Sequence, residues 1–200
     1  MLPPLAVSFC LPIRQDTFRD LEAALATGSV PVEIEERDPP GPQAGLEWLL
    51  PTMAIVFIGK SYFDGFFKEA GKDHYTLLKK GLSTLYGRLV GPGAPALTVV
   101  STAGKRSDND YSLLFSLMAE ADDGLRFKLL IQKSASEEEY AATVSAFLEF
   151  LDAFHAKTLG PAQLDELRSV RHVGRTVLLA YSADLKRVTV VDPLPPKVHQ

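Results

Sequence analysis

Apolar positions along this chain switch between two spacings, and the switch points divide it into short strands and longer helices. Residues 5–9 carry Leu5, Val7 and Phe9 in a run that stops at Pro12, the pattern of a strand buried on both faces. Phe18, Leu21 and Leu25 fall at i, i+3 and i+7, which predicts a helix with Asp16 as N-cap and Gly28 taking the left-handed conformation that ends it. Over residues 30–35, Val30, Val32 and Ile34 alternate with Glu33 and Glu35, the period of a strand with one wet face near a sheet edge. Three prolines and two glycines between Arg37 and Gly45 exclude regular structure there. A short helix over 46–50 and a buried central strand over 53–58 follow, and Gly59 ends the strand.

The next segment predicts a helix from Ser61, with Phe63, Phe66, Phe67, Ala70, Leu77, Leu78, Leu82 and Leu85 as its apolar stripe. Gly71 costs about 1 kcal/mol relative to alanine inside a helix, so a kink or break is expected at that point. Residues 97–100 read as another buried strand. Beyond the polar loop KRSDNDY, residues 111–119 and 125–131 form an antiparallel pair around the turn 121–124. Ser136 opens the clearest helix, with Glu139 completing a capping box and Tyr140, Val144, Phe147, Leu148, Leu151 and Phe154 on one face. Residues 176–181 and 187–191 make a second hairpin before the proline-rich tail 193–200.

This order predicts one α/β domain over residues 1–192: a single mixed sheet, parallel in its first half and built from antiparallel hairpins in its second, with helices packed on it. No composition break marks a second domain, and no repeat recurs at a fixed period.

Composition narrows the function classes. The 200 residues are 46% hydrophobic and 23% charged, which suits a folded globular chain. A formal charge of -4 supplies no excess of cations to neutralise phosphates, so nucleic acid and anionic membrane are not expected partners. The amino terminus has no basic stretch before its apolar run, and no apolar run reaches the roughly 20 residues that span a bilayer, so a cytoplasmic protein is expected. The single cysteine, Cys10, lies in the first strand pattern and reads as a small core residue. With four scattered histidines it offers no metal-ligand spacing, and no metal is expected.

The chemistry concentrates in the helix after the 53–58 strand, where Glu69, Lys72, Asp73 and His74 cluster beyond the strand's carboxyl end. A solvated helix face with ordinary i, i+3 and i+4 pairs accounts for the same residues, and His74 reads as a surface histidine because adjacent helical residues point about 100° apart. STAGKRS, at 101–107, lacks the first glycine of a phosphate-binding loop and has Arg106 between its lysine and serine.

The strand VPVEIEERD running into RDPPG, then LEWLLPTMAIVFIGKSYFDGFFKE, resembles the TIR-domain family over roughly residues 5–101: its second strand, its RD-x-x-PG loop, its buried third strand and its acidic helix. The resemblance implies a TIR- or flavodoxin-like first half. In that family a glutamate on the helix after the third strand cleaves nicotinamide from NAD, whereas other members only assemble with like domains. By resemblance Glu69 is that glutamate, a carboxylate able to stabilise the positive charge that grows on the ribose. Arg37 or Lys60 would face the diphosphate, Ser61 would donate to it, and Tyr62 or Phe63 would stack on a ring. NAD is then a substrate, with no separate cofactor.

Two functions stay open on these grounds. One is a TIR-like domain of a bacterial defence or signalling system that binds NAD, as a glycohydrolase if Glu69 is catalytic. The other is a non-catalytic α/β module that binds protein, as a TIR-like adaptor or a small acidic toxin-neutralising protein, using the acidic edge strand and the hairpins. A protein partner or a homo-oligomer is expected in either case.

Overall fold

The direction of each strand follows from how its connection leaves the sheet. In the computed structural model, which describes residues 3–28, 30–38, 52–63, 67–90, 110–172 and 174–193 (backbone only for 67–72), the strands are β1 (Leu5–Phe9), β2 (Val32–Glu36), β3 (Ala54–Ile58), β4 (Phe115–Glu120), β5 (Arg126–Leu130), β6 (Thr176–Ser182) and β7 (Arg187–Val191). They form one mixed sheet in the order β2-β1-β3-β4-β5-β6-β7. Four helices pack on it: α1 (Arg19–Ala26), α2 (Phe67–Leu89), α3 (Glu137–His155) and α4 (Pro161–Ser169).

Parallel pairs occur where a helix carries the chain back: β1 with β2 around α1, β3 with β4 around α2, and β5 with β6 around α3 and α4. The other three pairs are antiparallel. Two of these are the expected hairpins. At the first, Asp123 (φ 57°) and Gly124 (φ 73°) take the left-handed conformation in the turn, and the ladder is extended by a bridge between Tyr111 and Gln132.

The third antiparallel pair, β1 with β3, corrects the expectation of a wholly parallel first half. Its cause is local. Arg37 N–H donates to Phe9 O at 2.7 Å and Cys10 N–H to Met53 O at 2.9 Å, while the Arg37 guanidinium donates to Thr52 O. The chain leaving β2 and the chain entering β3 are thus held at the same end of the sheet, so β3 must run back along β1. The expected helix at 46–50, the strand at 97–100, residues 39–45 of the proline-glycine loop, the loop that follows Ser101 and the tail beyond 193 lie outside the described residues.

Strand side chains alternate between the two faces. On one face Leu5, Val7, Val56, Phe115, Leu117, Phe127 and Leu179 pack with Leu21 and Leu25 of α1, Leu78, Leu82 and Leu85 of α2, and Tyr140, Val144 and Phe147 of α3 in one core. On the other face Leu130, Leu178 and Ala180 form a smaller cluster with Tyr111 and Val191, and no residue of the described helices joins it.

Helix α3 begins as expected: Glu139 N–H donates to Ser136 Oγ at 3.1 Å and Ser136 N–H to Glu139 Oε2 at 2.7 Å. Three other local expectations are corrected. Asp16 makes no cap bond; it stands inside a 3-10 turn, Gln15–Phe18, that leads into α1. Gly28 does not adopt a positive φ; its role is spatial, since a Cβ there would lie 2.9 Å from His74 Cε1. Gly71 does not break α2, which runs unbroken for 23 residues. The approximately 1 kcal/mol propensity loss is outweighed by packing along that helix. Gly81 shows how close the packing is, with a Cβ there falling 2.7 Å from Leu21 Cδ1 of α1. Helix α4 was not anticipated, although Gly160 at its N-cap and Pro161 at its first position are a readable start signal.

Candidate functional site

Because β3 is antiparallel to β1, the residues singled out by sequence divide between opposite ends of the sheet. Arg37 follows β2 at the end where β1 finishes. Lys60, Ser61 and Tyr62 follow β3 at the end where β1 begins, as Gly59 N–H bonding to Pro4 O at 2.9 Å confirms. A five-residue strand separates them by about 15 Å. Arg37 and the GKSY turn therefore stand at opposite ends of the sheet, and a single diphosphate does not meet both Arg37 and Lys60.

At the end where β1 begins, β3 passes into a helical turn at Lys60 that leads towards α2. The Lys60 backbone N–H donates to Glu120 Oε2 at 3.0 Å, and its ammonium pairs with Asp122 at 3.0 Å. Lys157 also donates to Asp122, and these two hydrogen bonds hold the Asp122 carboxyl down at about 2. Lys60 is thus part of a structural tie between β3 and the β4–β5 turn.

Ser61 Oγ is buried and finds no hydrogen-bond partner. Tyr62 is 1% exposed, its hydroxyl donates to His74 O at 3.4 Å, and burial raises its pKa to about 12. Its ring is a core element, whereas the resemblance implied that Tyr62 or Phe63 would stack on a ligand ring. Phe63 stacks on His155 of α3 with ring centroids 4.7 Å apart. His74, expected on the surface, is 9% exposed and packs on Gly28. Glu69 stands in the first turn of α2, and its side chain lies outside the described residues.

The opposite end carries a set of polar groups that the sequence reading did not single out, apart from Arg37. Thr52 and Ser116, both buried, share a hydrogen bond of 2.5 Å between their hydroxyls. Ser116 lies on the sheet face without described helices, and Lys128 on the adjacent strand β5 shares that face, since Lys128 pairs with Met118, two residues beyond Ser116. Lys128 is 4% exposed. Burial, and secondarily the Arg37 charge, pulls its pKa down to about 8. Arg37 is half-buried, and its Nε–H is itself buried without an acceptor. Burial raises the nearby Cys10 thiol, against the opposing pull of Arg37, so that it stays neutral at pH 7. The one available sequence signal was a lysine inside the apolar run RFKLLI. Alternation alone makes such a lysine look like the wet face of a strand.

A third feature is a groove of about 520 Å³ between the end of α2 and the start of α3, lined by Thr84, Tyr86, Lys133 and Ser136 among others. Tyr86 Oη donates to Ala135 O, and Ser136 is used by its cap, so the groove's central polar groups are already engaged.

Among the described residues no helix is long and apolar enough to cross a membrane, and no group of three or more His, Cys, Asp or Glu side chains is placed to hold a metal ion. No protein-family model, curated protein or solved structure matches the chain.

Proposed function

We propose that this chain is a non-catalytic α/β module that recognises another protein by adding a basic, extended segment of that partner to its β2 edge. The observation that carries the proposal is the edge itself. Among the described residues β2 is the outermost strand, bonded to β1 on one side, and Glu33, Glu35 and Glu36 stand exposed along it. An open edge supplies main-chain donors and acceptors to an incoming strand, and alternate acidic side chains select one that carries Lys or Arg. The separation of Arg37 from Lys60 favours this reading over a diphosphate pocket shared by the two loops.

The test uses a synthetic strand of alternating lysine and valine as probe. Binding is expected to weaken with salt, to protect β2 amides from hydrogen exchange, and to disappear in the double variant Glu33→Lys, Glu35→Lys. Unchanged binding by a folded double variant would overturn the assignment.

One observation keeps a second reading in play: Glu69 does stand in the first turn of the helix that follows β3. On that reading the chain is TIR-like and cleaves NAD, with Ser61 as a donor. Nicotinamide release by concentrated protein, abolished in Glu69→Ala, would support it; release retained in that variant would remove Glu69 from the chemistry.

A further inference from the structure

The two edges of the sheet carry complementary sequences. β2 reads Val32, Glu33, Ile34, Glu35, Glu36, and the chain entering β7 reads Lys186, Arg187, Val188, Thr189, Val190. Set antiparallel with Val190 opposite Val32, the two place Thr189 opposite Glu33, Val188 opposite Ile34, Arg187 opposite Glu35 and Lys186 opposite Glu36. Apolar residues then meet apolar residues, and cations meet carboxylates. Opposite charges across a strand pair favour it and like charges oppose it. Pairing of β2 with another β2 is disfavoured for that reason, since centred on Ile34 it sets Glu33 opposite Glu35.

The fold supplies the direction and the faces that this match requires. Three antiparallel steps, β1–β3, β4–β5 and β6–β7, separate one edge from the other, so β2 and β7 run in opposite directions. A second copy displaced along the sheet, and not turned over, therefore brings its β7 antiparallel to β2 with its helices on the same side. Val32, Ile34, Val188 and Val190 all turn to the helix-covered core, so the matched apolar pairs share one face of the joined sheet. Pro31 has no N–H and limits the ladder just before Val32.

Among the described residues neither edge has a further strand beside it. Glu33, Glu35, Glu36 and Lys186 are exposed. Arg187 is half-buried and holds Glu166 of α4 through both terminal nitrogens, at 3.1 and 2.6 Å. It also donates to Val188 O at 3.2 Å, a carbonyl with a second lone pair to offer. Lys186 is thus the main cation of the contact, and Arg187 adds to it from within its pair with Glu166.

We propose that the strand accepted by β2 is β7 of a second copy of this chain, joined head to tail. This occupant rests on the reading of β2 as a strand-accepting edge. Because the two surfaces in contact differ, assembly continues past a pair into a ring or a filament.

Sedimentation velocity of the full chain over a range of concentrations tests it. Species larger than a dimer are expected, and they should diminish as salt is raised. Glu36→Lys and Lys186→Glu are each expected to weaken assembly about tenfold by creating a like-charged pair. The double variant Glu36→Lys, Lys186→Glu restores an opposite pair with its signs exchanged, so assembly should return towards that of the wild type. A monomeric wild type, assembly unchanged in both single variants, or a folded double variant no better than the singles would overturn the proposal.

The wild type alone also decides. Amides of β2 and of β7 should both gain protection from hydrogen exchange as concentration rises, and protection of one edge without the other would refute the pairing. A wild type that stays monomeric yet binds the lysine-valine strand overturns this occupant and leaves the β2 edge to a foreign protein. One that neither assembles nor binds that strand loses both readings.

Discussion

On the helix-covered face of the sheet, Phe115, Leu117, Phe127 and Leu129 present carbon to α2 and α3; on the opposite face the same two strands present Ser116, Lys128 and Leu130. Both sets are buried, so burial alone does not distinguish them. The helix face is held by apolar area removed from water, at roughly 25 cal/mol per Å². The other face spends some of that stability on hydroxyls, a lysine and an arginine that must find partners. One face carries the apolar core that maintains the fold; the other mixes apolar side chains with polar ones, among them the Thr52–Ser116 hydroxyl pair.

The largest expected difference between the faces comes from truncation in the core. Phe147 of α3 is fully buried, so Phe147→Ala is expected to cost about 3–5 kcal/mol in urea unfolding. A loss under 1 kcal/mol would mean that the helix layer does not carry the stability ascribed to it.

Across the sheet, Lys128→Met is expected to change how stability depends on pH, because burial, and secondarily the Arg37 charge, disfavours the charged ammonium in the folded state. The sign of the pH dependence follows from the folded pKa of about 8, which is below the usual 10.5. Between those values the unfolded chain binds more protons at this lysine than the folded one, so the wild type gains stability as pH rises. The wild type should therefore gain stability relative to Lys128→Met from pH 8 to 10.5, measured as the difference between their urea midpoints. Taking the difference between the two proteins cancels the tyrosines, whose raised values, such as Tyr62 at about 12, act in the opposite sense above pH 10. A gap that stays constant with pH would show that Lys128 is not the group responsible.

Two smaller effects sharpen the contrast. Ser136→Ala removes the cap of α3 on the apolar side and is expected to cost about 1 kcal/mol, measured as a shift in the urea midpoint. Thr52→Val breaks the hydroxyl pair on the polar side and should cost about 0.5–1 kcal/mol, read as a smaller shift in the same midpoint.

Periodicity revealed the helix face well and the polar face poorly. The stripe from Tyr140 to Leu151 and the capping box at Ser136 are local signals, and both appear in the structure as read. The hairpins were legible for the same reason: each turn lies between the two strands it joins. Strand direction in the first half was not. An apolar run such as that of β3 fits a parallel or an antiparallel neighbour equally, and what decides is the clamp between Arg37, Phe9 and Thr52, residues distant in sequence. That same clamp separates Arg37 from Lys60 and so undoes the shared pocket read from adjacent motifs. Gly28 and His74 teach the same point: a residue pair 46 positions apart in the chain packs together, and neither local pattern reveals it.

Strand β3 borders β1 on one side and β4 on the other, so it is the seam between a half built from residues 5–58 and a half built from residues 115–191. The hairpins β4–β5 and β6–β7 pair residues 5 to 13 positions apart and close small loops at low entropic cost, the β1–β3 and β5–β6 ladders join residues about fifty positions apart, and the β3–β4 ladder joins residues about sixty positions apart. The bonds from Thr52 to Ser116 and from Lys60 to Glu120 fasten its two ends. Those two ties hold the register of β3 on β4 from both ends of the ladder.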